Sequence, residues 1–143
     1  MIKNRFKYKK ILTYRLCLLV TMVIVSVLGL ASKFYKGPGY DWVNGFAGDI
    51  FYETFWICAV VFVWPELSPA KVSGGVFFVT CLVEFLQLWK PPFLQVIRAT
   101  FAGKLLLGTT FVWADFPYYF IGCFLTWLWL RYLHKKLLLA NFS

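Results

Sequence analysis

Acidic residues are scarce in this chain. Six Asp and Glu stand against fifteen Lys and Arg in 143 residues, with a single histidine, His134. Charged residues make up 15% of the sequence, far below what a soluble domain carries. This excludes an ordinary water-covered surface, because so apolar a chain has too few ionic groups to coat one. Clustered metal ligands are missing too. Cys17, Cys58, Cys81 and Cys123 are scattered and form no CxxC pair, and one histidine does not complete a zinc or iron–sulfur site. No Ser or Cys can be placed beside His134 as a nucleophile with its base. No metal and no cofactor is therefore expected, and each cysteine reads as a small buried hydrophobe.

What is present is apolar. Hydrophobic residues reach 61% and aromatics 22%, and the length suits one domain over residues 1–143. The predicted class is all-α: a polytopic membrane protein with four transmembrane helices, each an apolar run near the ~20 residues a bilayer requires. The runs are 11–31, "ILTYRLCLLVTMVIVSVLGLA"; 48–64, "GDIFYETFWICAVVFVW"; 72–89, "VSGGVFFVTCLVEFLQLW"; and 115–133, "DFPYYFIGCFLTWLWLRYL". "KFYKGPGYDWVN" reads as a Gly/Pro loop and "PELSPAK" as a tight turn. "KPPFLQVIRATFAGKLLLGTTFVWA" is apolar but interrupted by Arg98, Gly103, Lys104 and Gly108. It is too short to cross and return as two helices. A re-entrant or interface-lying segment between the third and fourth spans is expected.

The net charge of +9 could suggest nucleic acid, but its placement points to a membrane. Lys3, Arg5, Lys7, Lys9, Lys10 and Arg15 precede or open the first apolar run. With the N-terminus inside, ten cations fall on the cytoplasmic side and five outside, the bias of the positive-inside rule. The expectation is a multi-pass membrane protein with both termini cytoplasmic, with the bilayer and no nucleic acid as partner. Trp42, Trp89 and Trp113 then belong to the outer headgroup level, and Trp64, Trp127 and Trp129 to the inner one. The first run also has the basic start and small-residue end of a signal peptide, but its length favours a retained anchor.

This topology gathers the polar residues at one end. Asp49 and Glu53 are four apart on the second span and share a face. Glu84 and Gln87 share one on the third. Asp115 opens the fourth span, Tyr119 follows one turn later, and Arg98 lies in the connection. Asp49, Glu53, Glu84, Gln87, Arg98, Asp115 and Tyr119 are the candidate site, a binding or structural polar cluster at the outer mouth of the bundle. Glu53 and Glu84 are each placed ~8 Å below the outer end of their span. Ser73, Phe77, Thr80, Glu84 and Gln87 form a polar-tinged stripe suited to a bundle interior, and Asp115, Tyr119, Gly122 and Thr126 form another. Arg98 is the expected salt-bridge partner of Glu84 or Asp115. The remaining acids call for shared protons or a bound cation. Against this stands a plain structural reading, in which Glu84–Arg98 only ties the connection down and Asp49 and Asp115 only cap helices.

"VEFLQLWKPPFLQVIRATFAGKLLLGTTFVWADFPYYFIG" resembles a family of small bacterial membrane proteins known as domain of unknown function 2809. The pattern is E-x-x-Q, an Arg, two glycines, F-x-W-x-D and Y-x-x-G. Here these are Glu84, Gln87, Arg98, Gly103, Gly108, Phe111, Trp113, Asp115, Tyr119 and Gly122, with "GD" at Gly48–Asp49 as a further match. The likeness covers roughly residues 25 to 130. Glu53 and Tyr52 depart from the pattern, which expects a small residue and Trp there. A more distant likeness runs to VanZ-type membrane proteins, which also carry E-x-x-Q. The family implies no established reaction. Two functions follow as expectations: binding of an envelope small molecule or lipid headgroup at the outer face, or service as an accessory subunit of a larger membrane complex. An enzyme would have only paired carboxylates to work with.

Overall fold

A computed structural model describes residues 2–108 and 111–139 of the chain. All the regular structure among them is helical, as the apolar runs predict. α1 spans Ile2–Phe34, 33 residues, or ~50 Å. That exceeds the ~30 Å hydrocarbon core of a bilayer. The excess is the basic first turns, where Lys3, Arg5, Lys7 and Lys9 are exposed.

The predicted Gly/Pro loop is shorter than the sequence suggested. Only residues 35–39 leave the helix, with Gly39 at φ 71° making the reversal. α2 (Tyr40–Trp42) then runs through a wide π-helical turn, Val43–Ala47, into α3 (Gly48–Val63). The Asn44 amide is the cause, since it donates to the carbonyls of Tyr35 (2.8 Å) and Tyr40 (2.7 Å). Those bonds draw "YDWVN" into one continuous helical path over Tyr40–Val63.

α4 spans Pro69–Leu86 and α5 Pro92–Ala99. Each has a proline in its first turn, where the missing N–H costs nothing. α6 spans Phe101–Leu107 and α7 Asp115–Leu133, followed by a π-helical stretch, His134–Leu139. The predicted third span ends early: the helix stops at Leu86, not Trp89. Glu84 therefore sits in the last turn of α4, ~3 Å from its end rather than ~8 Å. The connection to α7 is a bent pair of short helices. Leu94, Arg98 and Gly103 face inward, while Phe93, Val96 and Phe101 stay exposed.

Three helical stretches, Ile2–Phe34, Tyr40–Val63 and Pro69–Leu86, are long and apolar enough to cross a membrane. α7 has the length and the predicted boundaries, but its Tyr, Trp, Asp115 and Arg131 lower its hydropathy. α3 is central: it packs on α1, α4 and α7, and α4 also packs on α7. The core joins Tyr14 and Leu18 of α1 to Ile57, Cys58 and Val61 of α3 and Cys123 and Leu130 of α7. Arg15 secures one end, donating to the carbonyls of Phe62 (3.0 Å) and Val63 (3.4 Å) at the close of α3. Large apolar side chains such as Val20, Phe78, Leu82 and Phe120 stand outward at 53–63% exposure. A water-soluble chain does not present such a band along its long helices; a lipid-embedded one requires it.

Candidate functional site

The polar stripe of α4 faces the bundle interior as its spacing predicts, with Ser73, Thr80, Glu84 and Gln87 all buried. Its end is the centre of a hydrogen-bond network. Glu84 is 1% exposed. Its Oε1 accepts from the Val112 backbone N–H at 3.0 Å. Its Oε2 accepts from the Tyr119 hydroxyl at 2.8 Å and from the Gln87 amide at 3.3 Å. Gln87 also donates to the Leu107 carbonyl at 2.9 Å. One acid and one amide thus bind the end of α6, the segment before α7, and α7 itself to the last turn of α4. A buried carboxylate needs such donors.

Two glycines of the motif make these approaches possible. Gly108 has φ +68°, and a Cβ there would run into the Gln87 amide. Gly122 lets α7 lie directly on α3: a Cβ would stand 3.0 Å from Glu53 Cβ and from the Ile50 backbone. One turn further along, Thr54 and Thr126 close the same contact with a 2.8 Å hydroxyl pair.

Asp115 lies within electrostatic reach of both Glu84 and Asp49. The three carboxyl groups form one electrostatically linked row across α4, α7 and α3. Neither Asp49 nor Asp115 caps a helix. The path through Asp49 is already helical before it, and Ala114 takes the capping position ahead of Asp115. Asp49 Oδ2 is buried without a hydrogen-bond donor. The Lys33 side chain, in the last turn of α1, lies within electrostatic reach of Asp49 and Asp115. In the sequence Lys33 counts only among the five outer cations, with nothing to join it to the cluster. Aromatics flank the row on α2, the wide turn and α7. Phe46 stacks on Tyr118 with centroids 4.5 Å apart, and the Trp42 indole donates to the Tyr118 hydroxyl at 2.8 Å.

Two predicted members stand elsewhere. Glu53 shares a face with Asp49, yet it is fully buried toward α7, where Oε2 accepts from the Cys123 thiol at 2.9 Å. Its Oε1 has no donor. Cys123 is thus more than the inert hydrophobe expected of it. The correction at Arg98 is larger. Its terminal nitrogens donate to the carbonyls of Trp89 and Leu86, both at 2.9 Å, and Nε has no acceptor. The expected ion pair with Glu84 or Asp115 is not made. Arg98 instead satisfies carbonyls at the end of α4, the negative end of that helix's dipole. It holds α5 down by that route, leaving Glu84 to backbone and phenol donors. Among the described residues, no three His, Cys, Asp or Glu converge closely enough to hold a metal ion.

No solved structure matches the chain at a significant level. A family model does, over residues 39–123. That span contains Asp49, Glu53, Glu84, Gln87, Arg98, Asp115 and Tyr119, and every glycine and aromatic of the motif through Gly122. The chain belongs to the family described as Protein of unknown function (DUF2809).

Proposed function

We propose that this is a four-span protein of the bacterial inner membrane, with both termini cytoplasmic. In this reading its Asp49–Asp115–Glu84 row opens on the outer face and binds an ammonium-bearing lipid headgroup or envelope small molecule. The observation that carries the reading is the buried, donorless Oδ2 of Asp49 beside the Asp115 carboxyl. Adjacent carboxyl groups are stable together when a proton or a cation lies between them. An ammonium group supplies both charge and donors, and the Phe46–Tyr118 stack offers it π faces nearby.

The topology is supported by the ten-to-five division of cations and by the length of α7, 19 residues, or ~28 Å. α5 and α6, apolar on their exposed side, then lie along the outer interface. Activity reporters fused after Ser143 and within 33–40 test the orientation. An active periplasmic reporter at the C-terminus overturns it.

Gentle extraction followed by native mass measurement tests the binder. Co-purified lipid or small molecule, lost in Asp49→Asn and Asp115→Asn while the bundle stays folded, is the expected result. A stable hetero-complex with no bound small molecule would instead make this chain an accessory subunit.

A further inference from the structure

α3 and α4 do not close on each other along their outward faces. Between them runs an apolar groove of about 550 Å³. Trp56 and Val60 form one wall and Val72, Gly75 and Val79 the other, with Lys71 at the end nearest the α3–α4 turn. We propose that this groove holds one acyl chain of an anionic phospholipid, whose phosphate is bound by Lys71.

Length supports this occupant. From Lys71 to Val83, both groove residues, α4 rises ~18 Å. One leaflet of the hydrocarbon core is ~15 Å deep, half of the ~30 Å bilayer core. The groove therefore reaches from the headgroup level at the turn to about the bilayer middle, and its volume lies within the range of small-molecule sites. Its chemistry also fits. The walls are almost wholly apolar, and the cation stands at the one end that headgroups can reach.

Gly75 contributes to the shape of the groove. It sits inside α4 and costs that helix stability relative to alanine. Yet nothing in the described chain lies within 4 Å of where its Cβ would be. Contrast Gly122, whose missing Cβ is needed by the packing of α7 on α3. Gly75 therefore leaves that part of the groove wall without a side chain. Basic pockets between membrane helices on the cytoplasmic side bind anionic headgroups, and Lys71 places one cation at this groove. With both termini inside, that headgroup belongs to the cytoplasmic leaflet, the face opposite the carboxyl row.

The test places the protein in phosphatidylcholine vesicles containing phosphatidylglycerol. Bromine atoms are carried on the acyl chains of one lipid or the other. The Trp56 signal is taken as the difference between the protein and Trp56→Phe, which removes the contribution of the other tryptophans. Brominated phosphatidylglycerol is expected to quench Trp56 with about fivefold higher apparent association, the factor one lysine contributes near an anionic headgroup. Lys71→Gln should abolish that preference while leaving quenching by both lipids. Gly75→Leu should reduce quenching by both, and Lys36→Gln, at the opposite end of the bundle, should change neither. Three results each overturn the proposal: equal quenching by the two lipids in the unaltered protein, a preference that survives Lys71→Gln, or a Trp56 that neither lipid reaches because protein covers the groove. None of these depends on what the carboxyl row binds.

Discussion

Tyr119 on α7 gives its hydroxyl proton to Glu84 on α4 across 2.8 Å, where Glu84 is 1% exposed. Among the described residues this bond is the direct side-chain hydrogen bond between the two helices. It makes Glu84 a structural acceptor first, whatever the neighbouring carboxyls bind.

Tyr119→Phe removes that donor and nothing else. Oε2 keeps only the longer Gln87 contact at 3.3 Å. The expected loss is ~1.5–3 kcal/mol, the worth of a hydrogen bond to a charged group. Glu84→Gln should lose more, because its new NH2 group must face another donor, the Val112 N–H or the Gln87 amide. Thermal melting in detergent should rank them unaltered, Tyr119→Phe, Glu84→Gln. A Glu84→Gln protein as stable as the unaltered one would contradict the network.

Arg98 and Glu84 have separate partners, so their substitutions should add. Arg98→Gln gives up the Leu86 and Trp89 carbonyls, a loss on the order of 2 kcal/mol. In a double-mutant cycle with Glu84→Gln the coupling should stay within ~0.5 kcal/mol. A coupling of several times that value would restore the ion pair.

Gly108→Ala should destabilise through the backbone alone by ~1–3 kcal/mol, because φ +68° with ψ −179° is a conformation essentially reserved for glycine. The clash with the Gln87 amide adds to this. Gly74→Ala has the opposite sign. Its Cβ meets nothing within 4 Å, and alanine improves a helix interior by ~0.5–1 kcal/mol. Urea or detergent denaturation of the pair should show the two shifts in opposite directions.

Gly122→Ala should push α7 away from α3. The added Cβ would stand 3.0 Å from Ile50 backbone atoms that cannot turn aside, an overpacking cost of ~1–3 kcal/mol. The Thr54–Thr126 hydroxyl pair at 2.8 Å should be strained at the same time. Cysteine pairs placed along α3 and α7 should cross-link less readily in the variant. Unchanged cross-linking with unchanged melting would mean that the helices do not meet there.

Much of the site was legible in advance, and the reasons are local. Glu84, Gln87 and Thr80 announced an inward face because a charge in an apolar run must point at protein. Asp115 and Tyr119 did so by the same logic. Cys123 gave no such signal, since a thiol in an apolar run looks the same whether or not a carboxylate meets it. Lys33 was read as an ordinary flank of the first span. Val112 could not be found at all: its contribution is a backbone N–H, which every residue but proline carries.

Sequence by itself determined the all-helical class, the apolar lengths and the boundaries of α7, because those depend on hydrophobicity along one dimension. The family pattern also marked Gly108 and Gly122, and the structure supplied the reason: only glycine tolerates the conformation of one and the close approach at the other. Tertiary structure alone decided the partners. Asp49 and Glu53 share a helical face, yet one lies near Asp115 and the other meets Cys123, because α7 runs alongside α3 and presents a different side chain at each successive turn. Arg98 was free by charge to choose an acid. The corner between α5 and α6 aimed it at the carbonyls ending α4 instead, and that direction is a property of how three helices meet, not of any residue among them.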